Sequence, residues 1–61
     1  MDVFILISRL AEDEVRKLGY KFTYRNTQMV VAVPRDDSKA FIELFGEMGY
    51  PCCYTTNNYI K

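Results

Sequence analysis

Cys52 and Cys53 carry the side chains in this chain that are best suited to redox or metal chemistry. They are adjacent, within the segment GYPCCYTTNNYIK. A redox motif instead separates its cysteines by two residues and places them at a helix N-terminus, which lowers a thiol pKa. Neighbouring side chains on a strand point to opposite faces. We therefore interpret the pair as strand residues, one directed inward and one outward, and not as a site.

The other reactive side chains also give no indication of a catalytic, metal-binding or phosphate-binding site. Histidine is absent, so the chain has no ordinary general base near neutral pH, and one cysteine pair supplies too few ligands for a tetrahedral zinc site. The acidic clusters Glu12–Glu14 and Asp36–Asp37 fall in predicted first turns of helices, where compensation of the helix dipole explains them. The three glycines are isolated, so no phosphate loop is present. We predict no enzyme, no metal and no cofactor.

The chain is so short that we expect it to associate with a partner. Its 61 residues form one small domain, 1–61. Below roughly 70–80 residues a single core rarely supplies more than about 3–5 kcal/mol, and disulfides, metals or a partner subunit usually add to it. Two cysteines are too few for a disulfide framework. Association with itself or with another protein is therefore the expected source of additional stability.

Charge and hydropathy narrow the class of partner. Eight basic and eight acidic residues cancel, whereas a general nucleic-acid binder or a polybasic membrane-surface domain carries a basic excess. The apolar run VFILI is too short for a signal-peptide core or a membrane span. We expect a cytoplasmic protein that contacts neither membranes nor, as its main partner, nucleic acid.

Two segments thirty positions apart, SRLAEDEVRKLGY and SKAFIELFGEMGY, predict the same sequence of elements. Each indicates a helix, a glycine that ends it and a tyrosine that opens a strand. The first helix is expected to begin near Ser8 with Leu10, Val15 and Leu18 on its inner face. The second is expected to follow Pro34, with Asp36 or Asp37 as its N-cap. Its broad apolar stripe consists of Ala40, Phe41, Leu44, Phe45 and Met48.

Four further segments predict strands: Val3–Ile7, Tyr20–Arg25, Gln28–Val33 and Cys52–Tyr59. The resulting order, β-α-β-β-α-β, is that of ferredoxin-like domains, in the α+β class, with a four-stranded antiparallel sheet and two helices on one face. The nearly continuous apolar runs VFILI and MVVAV are typical of central strands. The other two segments are more polar, as edge strands need to be to discourage aggregation.

The central hairpin predicts a register. A two-residue turn at Asn26-Thr27 pairs Arg25 with Gln28 and sets the pairing of the residues that follow along both strands. The two members of each pair share a face of the sheet, and successive pairs alternate between the two faces. One face of the hairpin then consists of Tyr20, Phe22, Tyr24, Met29, Val31 and Val33, which the helices should cover. The opposite face, joined by alternate residues of the first strand, gives a candidate partner-binding patch. This open-face patch consists of Phe4, Leu6, Lys21, Arg25, Val30 and Ala32.

These observations favour a non-enzymatic protein-interaction module that forms a homodimer or docks on a protein partner. The open-face patch or the edge of the fourth strand would make the contact. Small inhibitors and adaptors, including viral or phage proteins that block a host factor, have this size and this lack of chemistry.

Two alternatives stay open. In the first, a dimer binds a small ligand or nucleotide in a shared pocket lined by Tyr50, Tyr54, Asn57, Asn58 and Tyr59. In the second, the open face binds nucleic acid weakly through Phe4, Lys21, Arg25 and Arg35. The element order resembles that of RRM domains, which stack bases on this face. The third strand, NTQMVVAV, has Val30 and Ala32 where the RRM pattern has aromatic residues, so the resemblance is limited to strand order.

Overall fold

The computed structural model describes residues 2–55, which form an α+β fold with a four-stranded antiparallel sheet and two helices. The strand order β2-β3-β1-β4 places β1 and β3 at the centre, as the sequence predicts. A single 3₁₀ turn, Arg9–Ala11, separates β1 from α1. The elements are β1 (Asp2–Ser8), α1 (Glu12–Leu18), β2 (Phe22–Arg25), β3 (Gln28–Pro34), α2 (Arg35–Glu47) and β4 (Cys53–Thr55).

The predicted hairpin register is confirmed over the four pairs of β2, a strand that begins at Phe22 and not at the predicted Tyr20. Arg25 pairs with Gln28 across the turn, and Phe22 pairs with Val31 at the far end of the ladder. Asn26 takes a positive φ of 54°, a conformation that asparagine tolerates better than most residues. The predicted fourth strand is confirmed over Cys53–Thr55, while Cys52 precedes the strand and the predicted part from residue 56 lies outside the described residues.

The hydrophobic core is one layer of side chains between one face of the sheet and the two helices. Both helices contribute to it, α1 through Val15 and α2 through Phe41 and Phe45. The rings of Phe41 and Phe45 have their centroids 4.4 Å apart. The buried cluster consists of Ile5, Ile7, Ala11, Val15, Met29, Val31, Val33, Phe41 and Phe45.

The first helix differs from its prediction. Val15 is buried as expected, but Leu10 is 83% exposed and Leu18 is 46% exposed. The cause is the 3₁₀ turn, in which the Ser8 hydroxyl accepts a hydrogen bond from the Leu10 amide at 3.2 Å. The turn directs Ala11 inward, one helical turn before Val15, and leaves Leu10 pointing to solvent.

The second helix begins at Arg35, directly after Pro34, and no side chain caps its first turn. The expectation that Asp36 or Asp37 is the N-cap is therefore wrong. A buried serine organises this end instead. The Ser38 hydroxyl donates to the Arg35 carbonyl at 2.8 Å and lies 3.2 Å from the Tyr54 hydroxyl, so it links α2 to β4.

The end of α2 is closed by backbone hydrogen bonds of the Schellman type. The amide of Tyr50 donates to the Phe45 carbonyl at 2.8 Å, and that of Gly49 to the Gly46 carbonyl at 3.1 Å. Gly49 has φ +90°, in the left-handed region that glycine adopts without strain. The Tyr50 ring then contacts Phe45, with centroids 6.4 Å apart.

We predict that alanine has opposite effects at the two glycines near this end. Both have open space where the Cβ atom of an alanine would lie, so only the backbone differs between them. Gly49→Ala forces a left-handed conformation and should lower the free energy of unfolding by about 1–2 kcal/mol. Gly46→Ala, inside the helix and with no positive φ, should raise it by roughly 0.5–1 kcal/mol. Urea unfolding followed by circular dichroism measures both; equal effects would contradict the assigned backbone geometry.

Candidate protein-interaction surfaces

The open-face patch is assembled by the sheet register. Phe4 lies opposite Ala32 and Leu6 lies opposite Val30 on the two central strands. These residues alternate with core residues such as Ile5 and so face away from the buried cluster. The structure therefore brings together the four apolar residues that the sequence placed side by side.

Burial divides the patch into accessible and inaccessible members. Phe4, Leu6 and Ala32 are each partly exposed, whereas Val30 has no exposed surface. Val30 lies between Leu6 on β1 and Thr23 on β2 in the register, at the centre of the sheet. Its prediction as a contact residue is therefore wrong, because a partner cannot reach a fully buried side chain. Val30 instead supports the residues around it.

Different groups lie on the two sides of the apolar residues of the patch. Lys21 and Arg25 are exposed along the β2 side, as predicted. On the other side, Cys53 of β4 lies opposite Leu6 and Thr55 lies opposite Phe4. The accessible apolar residues thus lie between a basic margin and a margin that carries an exposed thiol.

The two cysteines diverge as expected of strand neighbours. Cys52 is half-buried against the core, and its thiol donates to the Tyr50 carbonyl at 3.2 Å. Burial raises the pKa of the Cys52 thiol, and the neighbouring Cys53 adds to the effect. Cys53 is exposed, and both are free thiols. Over residues 2–55, no group of three acidic, cysteine or histidine side chains is placed to hold a metal ion.

The predicted ligand-binding residues are only partly described. Tyr50 packs on Phe45 at the end of α2, and the exposed Tyr54 has its hydroxyl beside that of Ser38. Both therefore lie on the helix side of the sheet, where Tyr50 packs against the core and Tyr54 makes a hydrogen bond. The other three predicted residues, Asn57, Asn58 and Tyr59, lie outside the described residues.

Arg35, which the nucleic-acid alternative grouped with Phe4, is the first residue of α2. It therefore does not belong to a strand of the open face. Within the described residues, Phe4 is the one aromatic side chain on that face, since Phe22 and Tyr24 of β2 align with the core residues Val31 and Met29.

A hollow between the two helices is the feature that the sequence reasoning missed. This interhelical groove has a volume of about 260 Å³. Its signal in the sequence is the breadth of the α2 stripe, because Ala40, Leu44 and Met48 form a row spaced by four residues, separate from the buried phenylalanines. The groove is lined by Leu18, Tyr20, Asp37, Ala40, Phe41 and Leu44.

A polar cluster joins α1 to the β2 edge. The Tyr24 hydroxyl donates to a Glu12 carboxylate oxygen at 2.6 Å, and the Arg16 guanidinium lies 2.9 Å from the other oxygen. The Cζ atom of Arg9 lies 4.2 Å from the centroid of the Tyr24 ring. The same guanidinium donates a hydrogen bond to the Asn26 carbonyl at 3.1 Å. The Tyr24 hydrogen bond, followed by the Arg16 charge, holds the pKa of Glu12 below its usual value. A carboxylate held ionised in this way suits structural pairing better than proton donation.

Comparison with protein-family models, curated proteins and solved structures gives no match for this chain. Neither helix in the described part of the chain is long and apolar enough to cross a membrane.

We predict that Tyr24→Phe raises the pKa of Glu12 towards its usual value, because the variant lacks the hydroxyl that stabilises the charged form. NMR titration of the Glu12 carboxyl carbon measures the shift. Since a lowered folded pKa contributes stability that is lost as pH falls through it, the variant should also lose less stability than the parent below about pH 4.5. Tyr20→Phe, on a tyrosine that packs on Phe41, is the control and should leave the Glu12 titration unchanged.

We predict that Cys53 reacts with iodoacetamide several-fold faster than Cys52 in the folded protein near neutral pH. Cys53 is exposed, whereas Cys52 is half-buried and its raised pKa lowers its thiolate fraction. Peptide mapping by mass spectrometry gives the two rates, and unfolding in urea should remove the difference. Equal rates in the folded protein would show that the two thiols do not diverge.

Proposed function

We propose that this chain is a non-enzymatic, ferredoxin-like protein-interaction module that forms a homodimer through its open-face patch. The observation that supports this is the apolar character of Phe4, Leu6 and Ala32 on the sheet face opposite the helices. The solvated face of an antiparallel sheet normally carries polar side chains. Apolar residues on both central strands of that face are better explained by a contact than by solvent.

A second copy of the chain fits the patch by charge. Its accessible centre is uncharged, and the basic residues Lys21 and Arg25 lie along one edge only. A two-fold axis would therefore place apolar side chains against the same side chains of the partner without opposing like charges at the centre.

Size supports the same occupant. The molecule measures 27 × 27 × 19 Å, and the open-face patch lies on one of its faces, so a contact there would cover a large share of so small a domain. A domain this small also benefits more than a large one from apolar area buried in a subunit contact.

The order of strands, with β1 and β3 central and helical crossovers between β1 and β2 and between β3 and β4, supports the ferredoxin-like assignment. This topology explains why two apolar strands lie side by side. Because each is central, their outward residues collect in the middle of the sheet and not at an edge.

Sedimentation equilibrium over a range of protein concentrations tests the homodimer. We expect the parent to dimerise at micromolar concentration and Phe4→Asp to weaken the dimer at least about tenfold, since a charge would be desolvated at the contact. Ala32→Glu should act in the same way and removes no large side chain, which separates loss of contact from loss of folding. Circular dichroism verifies that each variant is folded.

Leu44→Asp is the matched control, because it places the same charge on the opposite side of the molecule, where Leu44 is already exposed. It should leave the dimer intact. A parent protein that stays monomeric throughout, or folded Phe4 and Ala32 variants that dimerise as tightly as the parent, would contradict the proposal.

A further inference from the structure

We infer that the interhelical groove is a second docking surface, and that its occupant is a basic amphipathic helix of another protein. The groove lies on the helix side of the sheet, opposite the open-face patch. The inference therefore does not depend on the proposed homodimer and can fail separately from it.

Exposed apolar side chains give the groove its shape. Leu18 at the end of α1 and Leu44 on α2 are each 46% exposed and both line the groove. Met48, four residues after Leu44, is 41% exposed. The row from Ala40 to Met48 covers about 12 Å of helix, or a little over two turns. This length matches the recognition mode in which a helix lays apolar residues at i, i+3, i+4 and i+7 into a groove.

The floor of the groove favours side chains over an enclosed small molecule. Tyr20 meets Phe41 edge-on, with ring centroids 5.8 Å apart, and both residues line the hollow. The volume of about 260 Å³ falls below the range of about 300–1,000 Å³ usual for small-molecule sites. A shallow aromatic floor of this size accommodates apolar side chains that project from a partner helix.

Charge identifies the class of helix. α2 carries four carboxylates, Asp36, Asp37, Glu43 and Glu47, against the basic Arg35 and Lys39. Asp37 lines the groove, and the other three carboxylates are exposed and fall on one side of the helix, next to the apolar row. Two salt bridges form between residues in the range 2–55, and both lie in α1. The four carboxylates of α2 therefore form no salt bridge with another residue in that range.

An acidic border disfavours a second copy of α2, because carboxylates would face carboxylates across the contact. The same border favours lysine and arginine residues flanking the apolar stripe of a partner helix. Lys39 lies three residues after Asp36 and four before Glu43, so it adjoins the acidic side of α2 but does not line the groove.

Fluorescence anisotropy of labelled synthetic helices with the full chain tests the inference. The probe is a peptide of 13 residues, the length of α2, with leucines at i, i+3, i+4 and i+7 and lysines at the other positions. A matched peptide has glutamate in place of every lysine. We expect the lysine peptide to bind at least about tenfold more tightly and to weaken as salt is added.

Variants locate the binding site on the molecule. Leu44→Ser should weaken lysine-peptide binding about tenfold, as expected when an apolar anchor is lost, and Glu43→Lys combined with Glu47→Lys should reduce the preference for the lysine peptide. Phe4→Asp is the control; it should leave peptide binding unchanged even where it disrupts the homodimer. Equal binding of the two peptides would overturn the inference, as would retention of lysine-peptide binding by folded Leu44→Ser.

Discussion

The layer of apolar side chains between one face of the sheet and the two helices is the interaction on which the rest of the structure depends. Its members come from both central strands and from both helices, and most of them have no exposed surface. Each fully buried valine, isoleucine, methionine or phenylalanine of this layer contributes about 1.5–3 kcal/mol by leaving water. Because the layer is only one side chain deep, the helices can cover one face of the sheet and no more. Aromatic residues extend this layer to the ends of the helices, through contacts of Tyr20 with Phe41 and of Phe45 with Tyr50. Each tyrosine follows a glycine with positive φ, so a left-handed residue turns the chain and returns the tyrosine to the core.

The sheet could be predicted from the sequence because its period of two leaves little freedom once the turn at Asn26-Thr27 is placed. A slip of one residue would place Phe22 and Val31 on opposite faces and direct the apolar set of one strand to solvent, so the register has one favourable solution. The central positions of β1 and β3 follow from their continuous apolar runs in the same way. Alternation of side chains along a strand was enough to predict that one of Cys52 and Cys53 faces the core and the other faces solvent.

Helix phase and depth of burial were harder to predict. A 3₁₀ turn stabilised by Ser8 changes the phase of the first helix, which buries Ala11 and exposes Leu10. On α2, a stripe of five apolar residues is wider than the face that one sheet can cover, so Leu44 is left outside to line the groove. Within the open face, strand alternation correctly places Val30 beside Leu6 but says nothing about how much surface a residue keeps. A central position with neighbours on both sides can be sealed by them, as Val30 is. The candidate contact is thus smaller than the pattern suggests.

Charge distribution carries more information here than net charge. The sum over the chain is zero, which argues against a strongly polyionic partner of the whole molecule. The charges are nevertheless unevenly distributed, with Lys21 and Arg25 at the β2 margin and an excess of carboxylates on α2. Screening limits such fields to about 8–10 Å at physiological salt, so across a molecule 19 Å thick in its shortest dimension charges on one face have little effect at the other. A neutral chain can therefore offer an apolar contact with a basic edge on one side and, on the other, an apolar groove with carboxylates along α2.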